Sequence, residues 1–380
     1  MKWEIITSPM CFKNGCRMET PNPEMSLVRR TSSIFVLIML VLFLAPRATA
    51  QERIAPSLVT ANATTTLTVY AQAPLARVRD VLTGFTHLNP DIAVKYLEVK
   101  TGPLYNAMIR RKAPEKMPDI IWSSAMDRQI KLANDGYALQ YEPSELDHLP
   151  PQLNWKDIAY GITAEPVVIV YNKRLLSEAQ VPHSHAELTE ALDQNQALFR
   201  GKVGTYDPQV SDTGLLFVTQ DLAVTARTWD LVAAMGHCKV RLYPTSAGMI
   251  DDVSSGRVLI AYNVLGSYAM KRMQHDPNLG VVWPSDYTLL MSRVALISKA
   301  SRNQEAAKRF LDYLLSEDGQ TRLAHDGLGR VRDGLQFPDI SVPVDASALR
   351  PIAMNIDLLV YLDQAKREAF LKQWRKLIDG

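Results

Sequence analysis

Cysteine is scarce in this chain: Cys11, Cys16 and Cys238 are all that 380 residues contain. So few thiols exclude a disulfide framework and a cysteine-built zinc site. Four catalytic signatures are missing too: the G-x-S-x-G elbow, H-E-x-x-H, the Walker loop and G-x-G-x-x-G. There is no internal repeat, low-complexity tract or long charge run, and 42 Lys and Arg nearly balance 40 Asp and Glu. That balance supplies no electrostatic footprint for nucleic acid. Long apolar runs are also lacking, since the run Ile34 to Ala45 falls short of the roughly 20 residues a membrane helix needs. What remains is 47% hydrophobic and 22% charged, a globular composition with enough chain for two cores.

That one apolar run has its own meaning. Arg29 and Arg30 precede it, and Pro46 and the triplet Ala48-Thr49-Ala50 follow, giving the three parts of a cleaved export signal. Cleavage is expected after Ala50, and the usual layout of such signals points to Met25 as the true start rather than to a long basic lead. The Arg pair hints at twin-arginine export, but its flanks favour the general route. Removing residues 1–50 leaves 36 basic against 37 acidic residues, a balance of −1, with Cys238 as the lone thiol. No Cys follows the cut, so a lipid anchor is not expected, and the mature protein should be periplasmic or secreted.

From Thr65 onward, strand and helix patterns alternate. TTLTVYAQ reads as a strand, residues 75–88 as a helix and NPDIAVKYLEV as a second strand. A helix over 102–111, the strand in MPDIIWSS and a helix over 126–134 closed by Gly136 continue the series. Such βα units imply an open sheet covered by helices, with ligands at the carboxyl ends of the strands, here at Gln72 and at Ser123-Ser124. DIAYGITAEPVVIVYNKRLL, broken at Glu165-Pro166, reads as a crossing into a second lobe. There GKVGTY, a helix opening at SDTG, a helix over 228–235, SAGMIDDVSSG and VLIAYNVLG form another α/β set. WPSDYTLLMSRVALIS is the expected return crossing, and NQEAAKRFLDYLLSEDGQTRLA an amphipathic helix pair.

In this order, the signal, LTVYAQ, PDIIWSS, AEPVVIVYNKRLL, GKVGTYDP, SDTG, SSGRVLIAYN and AAKRFLDYLLSEDGQ resemble the extracellular solute-binding proteins of ABC importers. The likeness covers residues 65–332 and is to the branch holding ferric-iron and phosphorylated-metabolite binders. It implies a two-lobe type II periplasmic-binding-protein fold with mixed, mostly parallel sheets joined by hinge strands. The N-lobe would take 65–163 with 285–327, the C-lobe 164–284, and a helical tail 328–380. A closed pair of lobes would hold a small anionic organic solute, such as a phosphorylated sugar or glycerate, and meet an ABC permease. The tail resembles those of binders linked to two-component sensing, which adds a sensor kinase as a partner. No cofactor, metal or enzymatic activity is implied.

The resemblance carries ligand roles to Gln72, Ser123, Ser124, Thr163, Ser211, Asp212, Thr213, Gly214 and Asn263. For SDTG two readings stay open. Ser211 or Asp212 can cap the helix, or the exposed N–H groups, the hydroxyls and the close approach at Gly214 can hold an anion. Asn263 can donate to an oxyanion and accept from a hydroxyl. Thr245 and Ser246 read first as caps, and Glu165 as a reader of a ligand hydroxyl or a solvent-facing group. The ferric binders carry adjacent tyrosines where this chain has Leu265 and Gly266, which weighs against iron, although Tyr262 and Tyr268 keep it open. His183 and His185 read as solvated loop histidines, and Asp251-Asp252 as a solvated helix face. An exported phosphatase or esterase is the remaining rival.

Overall fold

In this computed structural model the described residues are 62–99, 101–110, 117–336 and 344–380. All lie in one compact unit, Glu52–Gly380. The expected export signal and its cut lie outside the described residues.

Two mixed sheets organise the chain. The first contains β1 (Thr65–Ala71), β2 (Ile92–Glu98), β3 (Ile120–Ser123), β4 (Asn154–Trp155), β5 (Ala159–Gly161) and β12 (Val294–Ile297), in the order β2-β1-β3-β12-β5-β4. β1 lies parallel to both β2 and β3, while β12 runs antiparallel to β3 and β5. Around it lie α1 (Arg79–Leu88), α2 (Thr101–Arg110), α3 (Met126–Asn134) and, from late in the chain, α10 (Gln304–Leu315) and α11 (Glu317–His325). The amphipathic pair α10–α11 closes on α1, with Phe85 edge-on to Phe310 at 4.9 Å.

The second sheet runs β13-β11-β6-β9-β7-β8, with β10 added beside β6. Its strands are β6 (Glu165–Asn172), β7 (Val203–Tyr206), β8 (Arg241–Tyr243), β9 (Ile260–Leu265), β10 (Leu279–Val282), β11 (Thr288–Met291) and β13 (Leu349–Pro351). Every residue of β6 and β9 is buried, which is why those stretches read as continuous apolar runs. The flanking helices are α4 (His185–Gln194), α5 (Gln196–Phe199), α6 (Asp212–Val224), α7 (Thr228–His237), α8 (Ser246–Ser254), α9 (Gly266–Met273) and α12 (Gln364–Ile378). This is the two-lobe α/β architecture that the sequence resemblance implied.

Two extended segments connect the lobes. The chain leaves the first sheet through Ile162–Ala164 and returns through Ser292–Arg293, because β11 still pairs with β6 at Leu290 and Met291 while β12 pairs with β3. The return therefore lies between Met291 and Val294, later than a boundary at 285. The crossings bind each other: Ile162 N donates to Arg293 O (2.8 Å) and Arg293 N to Thr163 Oγ1 (2.8 Å).

Candidate functional site

Two groups of polar side chains meet between the lobes. The first group gathers at helix starts. Gln72 leaves β1, Ser123 ends β3, and Ser124 follows on the way into α3. Ser124 Oγ donates to Gln72 Oε1 and lies 3.4 Å from Thr213 Oγ1 of the opposite lobe. Arg128 of α3 pairs with Asp212 of α6 across the same seam at 2.7 Å. Ser123 Oγ accepts from Ala125 N (3.2 Å), which pins the turn before α3.

At α6 the plain capping role is realised. Ser211 Oγ accepts from Gly214 N at 3.1 Å, and Asp212 is engaged by Arg128. Gly214 is required by packing: a Cβ there would lie 2.3 Å from Tyr206 Cβ. Thr213 alone of the four turns its hydroxyl to the other lobe. Thr245 caps α8 as expected (Gly248 N to Thr245 Oγ1, 3.3 Å), whereas Ser246 Oγ is bonded to Tyr206 OH (2.5 Å) and Leu265 N (3.0 Å).

The second group is charged and buried. Arg293 Nε donates to Glu165 Oε1 (2.7 Å) and Nη2 to Oε2 (3.1 Å), and both residues are within 2% of full burial. Ser267 Oγ also donates to Glu165, and Thr163 Oγ1 to Glu165 Oε1 at 3.1 Å. Arg77, in the turn after β1, crosses to the opposite lobe and donates both Nη atoms to Ser267 O at 3.2 Å. Its Nε is buried with no hydrogen-bond partner. The Tyr268 ring lies against both guanidiniums, 5.2 Å from Arg77 Cζ and 6.0 Å from Arg293 Cζ. Burial lowers the pKa of Arg77, with Glu165 opposing it. At Arg293 burial acts the same way, but Glu165 and Tyr268 outweigh it and hold the pKa above its ordinary value.

Several sequence expectations change here. Thr163 and Glu165 serve the buried crossing: Glu165 neither faces solvent nor stands free to read a ligand hydroxyl. Asn263 is not brought to either group. β9 bulges there, since Val168 faces Val264 and Val170 faces Ala261, leaving Tyr262 and Asn263 against Ile169 alone. The bulge takes Asn263 to φ 60° and aims its amide at Asp221 Oδ2 (2.7 Å), where Tyr262 OH also donates at 2.6 Å.

His185 is not a solvated loop residue either. It opens α4, its Nδ1 lies 2.9 Å from Asp286 Oδ1, and its ring stacks on Tyr287 at 4.0 Å. With Asp286, Tyr287, Arg227 and Thr228 it lines a cavity of about 760 Å³ that includes no member of the two inter-lobe groups. Among the described residues no group of three His, Cys, Asp or Glu could hold a metal ion. Asp251 and Asp252 are paired rather than merely solvated, with Arg272 (3.1 Å) and Arg257.

Sequence reasoning missed Arg77, Arg128 and Arg293, and raised Tyr268 only as a candidate iron ligand. One signal was available for Arg293: it interrupts two apolar runs, TLLM and VALI, in a crossing expected to be buried. A buried charge needs a mate, and Glu165 in the other crossing was the candidate.

A family profile described as bacterial extracellular solute-binding protein matches residues 80–340. The crystal structure of the substrate-binding protein of an ABC transporter from Agrobacterium tumefaciens is 34% identical with a TM-score of 0.77, covering 87% of this chain and 100% of that one. Iron-bound HitA from Pseudomonas aeruginosa is 21% identical with a TM-score of 0.66, covering 82% and 99%. The phosphoglycerate transport regulatory protein PgtC of Salmonella typhimurium is 25% identical over 222 residues, 57% of this chain and 46% of the relative. The chain thus spans about half the length of that curated relative.

Proposed function

The chain belongs to the bacterial extracellular solute-binding proteins, and from that premise we propose that it is the capturing component of an ABC importer. Its lobes close on a small anionic organic solute, with a phosphorylated metabolite the favoured class. The mature protein acts outside the cytoplasm after cleavage at Ala50 and delivers its solute to an inner-membrane permease.

The observation that carries the anionic reading is the Arg77 guanidinium between the lobes, whose buried Nε has no hydrogen-bond partner. Arg77 and Arg293 both lie over the Tyr268 ring; Glu165, fully buried, is paired with Arg293, and Asp326 adds a charge that acts on Arg77 from a distance. An anion set beside Arg77 satisfies that Nε. Ser124, Thr213 and the N-terminal turn of α6 add uncharged donors, with the positive end of the helix dipole behind them. Micromolar capture corresponds to about 8 kcal/mol, so these contacts must act together on one guest.

Iron fits this arrangement poorly. The two cations over the Tyr268 ring would repel Fe³⁺ there, and Tyr262 already donates to Asp221. HitA holds iron, and PgtC is named for phosphoglycerate transport. The donor set here favours the second chemistry. In this reading capture proceeds without bond breaking, as in the solute-binding family to which the chain belongs.

The test is a thermal-shift screen of purified protein against phosphosugars, phosphoglycerates, inorganic phosphate, dicarboxylates and Fe³⁺, since a guest of the folded state raises the melting temperature. A rise with a phosphorylated compound is expected. A rise with Fe³⁺ alone, or hydrolysis of a phosphoester in the same samples, would overturn the reading.

A further inference from the structure

Residues 349–362 run across both lobes. Behind them, α12 buries Phe370, Trp374 and Ile378 against the second lobe, where Leu231, Val232 and Met235 of α7 belong to the same apolar cluster. α12 approaches so closely that Leu377 O would lie 1.9 Å from a Cβ on Gly236. Ahead of α12, β13 pairs in parallel with β11 of the second sheet. Both ends of the segment are thus tied to the second lobe.

The middle is not. Met354 N donates to Gln152 O of the first lobe at 3.0 Å. The 3₁₀ helix Ile356–Leu362 then packs on α3, which is itself held in the first lobe by Gln129 Nε2 donating to Val294 O (2.9 Å). Leu358 is buried, and with Tyr361 it faces a cavity of about 320 Å³ shared with Asp127 of α3 and Leu216 and Thr219 of α6. The segment therefore covers the seam where α3 meets α6, the seam that Arg128–Asp212 bridges.

We propose that residues 349–362 form a strap, anchored on the second lobe, that must release α3 whenever the lobes part and so holds the closed arrangement and slows solute release. This rests on the reading that the lobes open and close around a solute. Separation of α3 from α6 cannot spare the strap, because it is bound to α3 and, through β13 and α12, to the lobe that carries α6. The contact is also built to come undone. Asp127 Oδ1 is buried beneath it without a hydrogen-bond partner, and water would serve that oxygen once the seam opened.

The test compares the full chain with Leu358→Asp, the milder Leu358→Ala, and Ile356→Asp, a neighbour that is 56% exposed and serves as control. Small-angle scattering without solute should show a wider particle for Leu358→Asp and a smaller change for Leu358→Ala, with the control unchanged. Hydrogen exchange at the Met354 amide should speed up in the same order. Where the screen above supplies a solute, its dissociation should be about tenfold faster in Leu358→Asp.

An unaltered particle in a variant whose Met354 amide does exchange faster would overturn the strap. So would loss of the whole fold in both Leu358 variants, which would make the segment ordinary core. The scattering and exchange measurements use no solute, so failure of the anion reading in the screen leaves this outcome legible by itself.

Discussion

The charged group around Arg293 and the hydroxyl group around Ser124 both join the lobes, yet they differ in what holds them. Arg293 and Glu165 are almost wholly buried, and their hydrogen bonds go to each other, to the crossings and, at Glu165, to Ser267 of α9. Ser124 and Thr213 are neutral, 3.4 Å apart, and reach each other only when the lobes are together. A buried ion pair is costly to break by halves, whereas a pair of hydroxyls exchanges partners cheaply. The first group therefore suits a fixed hinge, and the second suits a surface that gives up its own contacts to a guest. Arg77 stands between these types: cationic like the first group, half-buried and crossing the seam like the second.

The largest expected effect attacks the fixed side. Glu165→Gln leaves the Arg293 guanidinium buried without its counter-charge and should cost about 3–5 kcal/mol in denaturant unfolding. A loss below about 1 kcal/mol would erase the contrast, since the ion pair would then behave like a surface contact.

Next comes the changeable side. Thr213→Asp places a second carboxylate beside Asp212 and against the anion, and calorimetry should show a loss of affinity of about 100-fold or more. Unchanged affinity would remove Thr213 from the binding surface. Arg77→Gln should weaken anion binding by about 10- to 100-fold, the worth of a charge-assisted hydrogen bond, while the unfolding midpoint moves little. If stability fell as far as in Glu165→Gln, Arg77 would belong with the hinge.

The smallest effect is a pH dependence at the seam. Burial, then the nearby charge of Asp212, pushes the Asp127 carboxyl up to about 6. Around it stand Arg128 of its own helix, Asp212 of α6, and Asp357 and Arg367 from the C-terminal segment. The folded protein then holds a proton that the unfolded chain releases near pH 4, so this residue's contribution to stability falls as pH rises from about 4 to 6 and is level above that. Asp127→Asn should remove that fall and stabilise the protein at pH 7 by about 1–3 kcal/mol relative to the parent. Parallel stability curves for the two proteins across pH 4–7 would show that the seam leaves Asp127 solvated.

Much of the fold was legible. Alternating strands and helices, the crossing at Ile162–Ala164 and the caps at Ser211 and Thr245 follow from residues within a few positions of one another. The return crossing lies inside the stretch expected for it, but a lobe boundary at 285 falls too early because TLLM and VALI look alike as strands, and only pairing assigns one to each sheet. Within the site, Gln72, Ser124 and Thr213 stood at strand and helix ends, where the chain itself marks them. Arg77 looked like any surface arginine, and Asn263 was displaced by a bulge that no local pattern announces.

The sequence by itself determined the two α/β lobes, the polar ends of their strands and the helix starts, since periodicity and capping are properties of neighbouring residues. Tertiary structure alone decided that Arg293 meets Glu165 across 128 positions and Arg77 meets Ser267 across 190. Burial creates those partnerships: a charge becomes selective about its neighbour only after water has been removed, and which charges lose their water depends on how the two lobes come together.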